Sequence, residues 1–253
     1  MIRMRSWDEA KSGKRPRRHD NFEGFITDFI ETADSRSVVA QAYLVEQNPN
    51  WVTPPHFHLE HQFQVVTAGS GAIGRHAVQP LAVHYASPET GYGPITAGPE
   101  GVSYLTLRAR ADTGAWYLHS PEQRARMQRG LKKQQEYGSP GTTITAAELR
   151  SLAAPFVEEL IAPQESGLAA HLVRLPPDET LALPRLHAHA GRFYVTTSGS
   201  MRVDGRELRA IATVFASFDE AFAIAAGSGG LEVLVLQFPR DAVEGESSPT
   251  IAS

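Results

Sequence analysis

Short apolar runs, cut by glycine and proline at short spacing, dominate the chain. Val38 to Val45, Gln62 to Thr67, Val102 to Arg108, Ala169 to Leu175, Phe193 to Thr197 and Leu231 to Phe238 are of strand length and rich in β-branched and aromatic residues. Strands of this kind, separated by such turns, predict a sandwich or small barrel rather than alternating βαβ units. In one of them the alternation is informative: Gln62, Gln64 and Val66 share one face, and His61, Phe63 and Val65 share the other. Only one region reads as helical. Ser120 as N-cap and Pro121 at the first helical position open a polar, basic helix over Glu122 to Lys133, which the Gly138-Ser139-Pro140-Gly141 segment breaks. Thr145-Ala146-Ala147-Glu148 is a capping box that opens a second short helix ending before Pro155.

The sequence also repeats itself. His56-Phe57-His58 matches His187-Ala188-His189, and Val66-Thr67-Ala68-Gly69-Ser70 matches Thr196-Thr197-Ser198-Gly199-Ser200. Tyr85-Ala86-Ser87 then matches Phe215-Ala216-Ser217, and Ala97 to Gly101 matches Ala226 to Gly230. Four blocks in one order, with offsets drifting by single residues, predict a tandem duplication of one β domain. The expected division is a basic flexible tail over 1–18, a first barrel over 19–118, a helical linker over 119–164, a second barrel over 165–240 and a flexible tail over 241–253.

Composition narrows the picture. In 253 residues, 42% hydrophobic content is enough for a substantial core, and 24 basic against 28 acidic residues give a net charge of −4. That balance predicts no nucleic-acid partner, because phosphate binding needs a concentrated basic face. Seven Lys/Arg (Arg3, Arg5, Lys11, Lys14, Arg15, Arg17, Arg18) crowd the first 18 residues and read as a solvated arm. Arg124, Arg126, Arg129, Lys132 and Lys133 read as the solvated face of the linker helix. The absence of cysteine removes disulfides, thiolate nucleophiles and Cys-type zinc sites. No apolar run approaches the ~20 residues of a membrane helix, and the basic N-terminus lacks the apolar core of a secretory signal, so a cytoplasmic protein without membrane contact is expected.

Chemistry concentrates in the two His-x-His pairs. Residues i and i+2 of a strand point to one side, so His56 and His58 converge, as do His187 and His189. Two imidazoles facing the inside of a small barrel call for a partner, since buried polar groups without one cost several kcal/mol. A divalent metal is one such partner. If Gln62 also faces inward, it brings an oxygen donor to the first pair. The frame His56-x-His58, three residues, Gln62, six residues, Gly69 resembles the first motif of the cupins, in which the fourth position is Glu. The segment Val83 to Gly93 resembles their second motif, except that no histidine holds the ligand position and Tyr92 stands nearest to it.

The resemblance covers residues 35–110 and 165–240 and implies an all-β fold: two tandem cupin (jelly-roll-like) β-barrels joined by a short helical linker. It further implies a divalent transition metal (Fe, Mn, Ni or Zn) held in the first barrel by His56, His58 and Gln62, with Tyr92, His84 or Glu60 as replacements for the missing ligand. Catalytic roles for Tyr92 and His84 follow, as does a substrate site whose polar face of Gln62 and Gln64 is walled by Val66 and aromatic residues, for an oxygenated or aromatic compound. The leading expectation is therefore a metal-dependent dioxygenase with no nucleotide cofactor. The alternatives are a non-catalytic small-molecule-binding protein and a metal-free isomerase or lyase using His and Tyr as acid–base groups. In the second half Arg192 takes the Glu position, so His187, His189 and Arg192 are expected to hold no metal; the leading expectation is a half kept for packing and assembly, with an anion clamp as the functional alternative. Homodimerisation through sheet edges is a further implication of the family.

Overall fold

The computed structural model describes residues 1–35, 37–112, 114–128, 133–184 and 189–243. Strands dominate it, in two large antiparallel sheets. In spatial order the first runs Gln135–Gly138, Val83–Ala86, Gln62–Ile73, Ile95–Arg108, Gln41–Gln47, Phe22–Ile30, Arg15–His19. The second runs Ile2–Ser6, Ala212–Ser217, His189–Val203, Ile224–Pro239, Ala169–Leu175, Phe156–Ile161. Each half has at its centre a pair of long strands: Gln62–Ile73 beside Ile95–Arg108, and His189–Val203 beside Ile224–Pro239. Among the described residues no helix is long and apolar enough to cross a membrane.

Period-two alternation assigns each strand two duties. In the first half Val66, Tyr104 and Val45 point into that half's own apolar interior. Their neighbours Phe63, Val65, Leu105 and Leu107 point outward, and there they meet Leu172, Phe193, Leu234, Leu236 and Phe238 of the second sheet in one shared cluster. Phe63 meets Phe238 edge-on at 4.9 Å between ring centres, and Phe193 lies 6.1 Å from the same ring. A third cluster fills the second half. The strands are apolar on both faces because both faces are buried.

Three expectations need correction. Residues 2–6 form a strand, not a flexible tail, and their partners lie in the second half: Ile2 opposite Ala216 through Ser6 opposite Ala212. Ile2 and Met4 alternate with Arg3 and Arg5 and pack on the second half's cluster, so the alternation outweighs the charge. The basic residues that follow are neutralised one by one: Lys14 by Glu46 (2.8 Å), Arg15 by Asp28 (2.7 Å) and Arg17 by Asp34 (2.9 Å). The linker helix is the second correction. It spans only Pro121–Arg124, with Ser120 as its N-cap, because the residues beyond it offer no apolar stripe to bury. Of the expected basic face, Arg126 stacks on Trp116 at 4.2 Å and Lys133 pairs with Glu89, while Arg129 and Lys132 lie outside the described residues. The capping box at Thr145 does open a helix, Ala146–Arg150.

The third concerns the division of the chain. The first sheet takes its edge strand Gln135–Gly138 from the linker, and the second takes Ile2–Ser6 from the N-terminus. Ala242, expected in a flexible tail, is buried in the shared cluster. The remainder of that tail, residues 244–253, lies outside the described residues.

Phe238 is fully buried where both sheets meet. Phe238→Ala is therefore expected to lower the unfolding free energy by about 3–5 kcal/mol, the range for deleting a core aromatic ring, as read by urea denaturation.

Candidate active-site cavity

The first half encloses a cavity of about 100 Å³, lined among others by Tyr43, Thr53, His56, His58, Gln64 and Tyr92. Arg17 and the exposed His19 line its solvent-facing end. His56 is carried on the short strand His56–Phe57, which is held on two sides. Trp116–Tyr117 pairs with it, and the backbones of His56 and Tyr92 exchange two hydrogen bonds of 3.0 Å.

Side-chain hydrogen bonds fix the protonation of this end. His56 Nδ1 lies 2.8 Å from the Pro54 carbonyl, which can only accept, so Nδ1 carries the hydrogen and Nε2 is the acceptor of the neutral ring. Tyr92 Oη, 3.0 Å from Nε2, therefore donates to His56. The same oxygen accepts from Gln62 Nε2 at 2.6 Å. Gln62 Oε1 in turn accepts from Arg108 Nη2 at 2.7 Å.

Arg108 is the residue that sequence reasoning missed. It is fully buried. Its Nη2 reaches Gln62 Oε1 and His58 Nδ1 (3.0 Å), and its Nη1 donates to Gln41 Oε1 (2.6 Å) and the Asp112 carbonyl (3.2 Å). Asp112 completes the group, with Oδ2 accepting from the Leu59 amide and lying 3.3 Å from His58 Nδ1. A signal was present. Tyr104, Thr106 and Arg108 alternate along one strand, and the first two line the cavity, so the third shares their inward face.

Burial makes the imidazoles poor bases. It pushes His56 down to about 3, with His58 adding to the effect, and His84 likewise to about 3. His58 is lowered by burial and then by the Arg108 charge. Burial also raises the Tyr92 hydroxyl above its ordinary value. For the Asp112 carboxyl, burial works upward, but His58, Arg108 and the Leu59 amide together hold it below the usual range. Near neutral pH the inner wall of the cavity thus presents neutral rings and hydroxyls, with the Arg17 guanidinium at its solvent-facing end.

Not every expected residue faces the cavity. His56, His58, Tyr92 and Gln64 line it, whereas Gln62, His84 and Val66 do not. Val66 packs in the apolar interior. His84 sits behind Gln64, bonded to its Oε1 at 2.8 Å and stacked on Tyr137 at 4.7 Å. Glu60 pairs with Arg110 at 3.3 Å.

The donor set does not fit the divalent metal that the resemblance implies. Gln62 turns its carbonyl oxygen to a guanidinium and its amide hydrogens to Tyr92, so the end of Gln62 that meets the Tyr92–His56 pair is a donor and not a metal ligand. A fixed positive charge lies 3.0 Å from His58 Nδ1. Among the described residues no group of three or more His, Cys, Asp or Glu is placed to hold a metal ion. The second half is tighter still. His187 lies outside the described residues, and His189 lies edge-on to Phe218 at 4.8 Å. The buried Arg192 donates to Gln237 Oε1 (2.8 Å) and the Pro184 carbonyl (2.7 Å), bonds that compete with an anion clamp. The cavity beside them is about 30 Å³, room for a water molecule.

No family model matches the sequence, and no curated protein matches it. Solved structures do match in shape. A candidate dioxygenase from Nostoc punctiforme aligns with a TM-score of 0.58 at 11% identity, covering 96% of this chain and 84% of that one. Oxalate decarboxylase from Bacillus subtilis aligns with a TM-score of 0.56 at 15% identity, covering 94% of this chain and 76% of its own. Another structure of that enzyme, described for its Mn(II) centres, gives 0.54 at 15% identity, covering 91% and 76%. At these identities the likeness is one of fold: the chain has an all-β, jelly-roll-like fold.

Arg108 donates to four buried acceptors at once, and Arg108→Met takes that donor from Gln62 Oε1 and His58 Nδ1, while Gln41 Oε1 and the Asp112 carbonyl keep only their long 3.3 Å bonds to each other's N–H groups. Unfolding in urea is expected to show a loss of about 3–5 kcal/mol, the range for removing one partner of a buried charged network.

Proposed function

We propose that the first-half cavity is a receptor for a small, oxygenated organic molecule, held by neutral hydrogen-bonding groups without a resident divalent cation. The observation that carries this reading is the position of the Tyr92 hydroxyl, fixed between His56 Nε2 and Gln62 Nε2, with Gln62 locked by Arg108. The groups a metal would need are already committed to each other.

Size restricts the ligand. A cavity of about 100 Å³ is well below the ~300–1,000 Å³ of sites for drug-sized ligands, and smaller than the ~150 Å³ engineered void that admits benzene. The oxygenated aromatic compound expected from sequence is therefore too large without side-chain movement, and a short oxo- or hydroxy-compound fits better. Acid–base catalysis by His56 has less support than binding. A general base works best with a pKa near the working pH, and His56 lies at about 3.

The second reading is a metal-dependent enzyme of dioxygenase type. The likeness to the Nostoc punctiforme protein favours it, as do the three imidazoles of His56, His58 and His84 around Tyr92. In that case a metal would supply the redox chemistry, and Arg108 would have to release Gln62.

Elemental analysis and calorimetry separate the two. On the receptor reading, purified protein holds well below one equivalent of metal after incubation with iron, manganese, nickel and zinc. Pyruvate and acetoin then bind while catechol does not, and Tyr92→Phe weakens binding by about tenfold. One equivalent of metal, lost in the His56→Ala/His58→Ala variant, would overturn this reading in favour of the metal enzyme.

A further inference from the structure

A second constellation of reactive side chains lies outside the first cavity, at the junction of the two sheets. His61 precedes Gln62 and so points the other way, toward the second half. Its Nδ1 lies 2.6 Å from Tyr85 Oη, and its Nε2 faces Asp241 Oδ1 at 3.5 Å. His61 and Tyr85 are buried, whereas the Asp241 side chain is 63% exposed. All three line a cavity of about 220 Å³ whose remaining walls include Ser87, Gln134 and two prolines, Pro88 and Pro239. Both halves of the chain contribute, so the cavity exists only where they meet.

The hydrogen-bond directions define what it can hold. With Nε2 turned to a carboxylate, the hydrogen of the neutral ring belongs on Nε2, and Nδ1 accepts. Tyr85 must then donate to His61, which leaves the remaining lone pair of its oxygen as an acceptor. Gln134 donates through Nε2 to Glu136 Oε1 (2.8 Å) and Gln164 Oε1 (2.9 Å), so its free capacity is also that of a carbonyl acceptor. Asp241 accepts only. No lysine or arginine lines the cavity. Tyr85, Gln134 and Asp241 offer acceptors there, beside the serine hydroxyls of Ser87 and Ser166, and with a carboxylate as the one charge in the lining the complementary molecule is hydroxylated and positively charged.

We infer that the junction cavity is a second ligand site, for a small hydroxylated amine. Its ammonium group faces Asp241, its hydroxyl groups donate to Tyr85 and Gln134, and its carbon skeleton lies against Pro88 and Pro239. The reading is independent of what the first cavity binds, since no residue lines both.

Three six-carbon polyhydroxy compounds of three charges test it: the pyranoses glucosamine and glucose and the open-chain carboxylate gluconate, compared by saturation-transfer NMR and isothermal titration at neutral pH. Glucosamine is expected to bind most tightly and gluconate least. The step from glucosamine to glucose should be roughly two- to fivefold, the scale for an ion pair with one largely exposed partner. Asp241→Asn, at an exposed position where the fold should persist, is expected to remove that step, so that glucosamine and glucose bind alike. A melting curve equal to that of the parent chain checks folding. Absence of binding by all three, gluconate binding as tightly as glucosamine, or a preference that survives Asp241→Asn would each overturn the proposal.

Discussion

A guanidinium with no solvent exposure must find acceptors for its hydrogens, because removing such a charge from water costs several kcal/mol even after relaxation. Arg108 finds four among Gln62, His58, Gln41 and the Asp112 carbonyl, and only its Nε hydrogen has none. The arrangement then propagates. Holding Gln62 by its oxygen turns the amide hydrogens toward Tyr92, which makes the phenol oxygen an acceptor on one side and directs its hydrogen to His56 on the other. The Pro54 carbonyl independently selects the His56 tautomer that can receive it. Two backbone segments thus agree on one protonation pattern, and agreement of this kind is what makes a buried polar network rigid.

The same strand that carries Arg108 inward carries Leu105 and Leu107 outward into the cluster shared with the second sheet. The cavity geometry and the junction between halves are therefore set by one element. The exchange of edge strands reinforces that coupling. Ile2–Ser6 covers the edge of the second sheet, and Gln135–Gly138 covers the edge of the first, where open edges would leave unpaired backbone groups. Gln135 and Tyr137 of that borrowed strand also reach His84, bringing the linker to within one side chain of Gln64.

Much of this was legible in the chain because strand periodicity leaves a direct trace. The facing of Gln62, Gln64 and Val66 against His61, Phe63 and Val65 can be read from alternation alone, and the capping box at Thr145 is purely local. What escaped depends on contacts between distant residues. Nothing near Arg108 in sequence announces Gln41 or Gln62, and a terminal arginine on an apolar strand ordinarily reads as its exposed end. Ile2–Ser6 was masked by the charge around it, since Arg3 and Arg5 obscured a two-residue apolar alternation whose partner lies more than two hundred positions away. The linker failed in the opposite sense. Its capping signals were sound, but capping starts a helix and cannot extend one that has no apolar face to bury.

His61 and Gln62 show how far a single peptide bond can separate two chemistries. Alternation sends Gln62 toward a buried arginine and a cavity without carboxylates in its lining, and sends His61 toward Asp241 and a cavity without cations. The electrostatic contrast between the two spaces is thus tied to register. A slip of one residue in the Gln62–Ile73 strand would put His61 beside Arg108 and Gln62 at the junction, and would also turn Phe63 and Val65 out of the shared cluster. Burying Phe63 and Val65 between the sheets is worth several kcal/mol at about 25 cal/mol per Å² of apolar area, far more than an exposed ion pair provides. The apolar junction therefore sets the register, and the polar chemistry of both cavities follows from it.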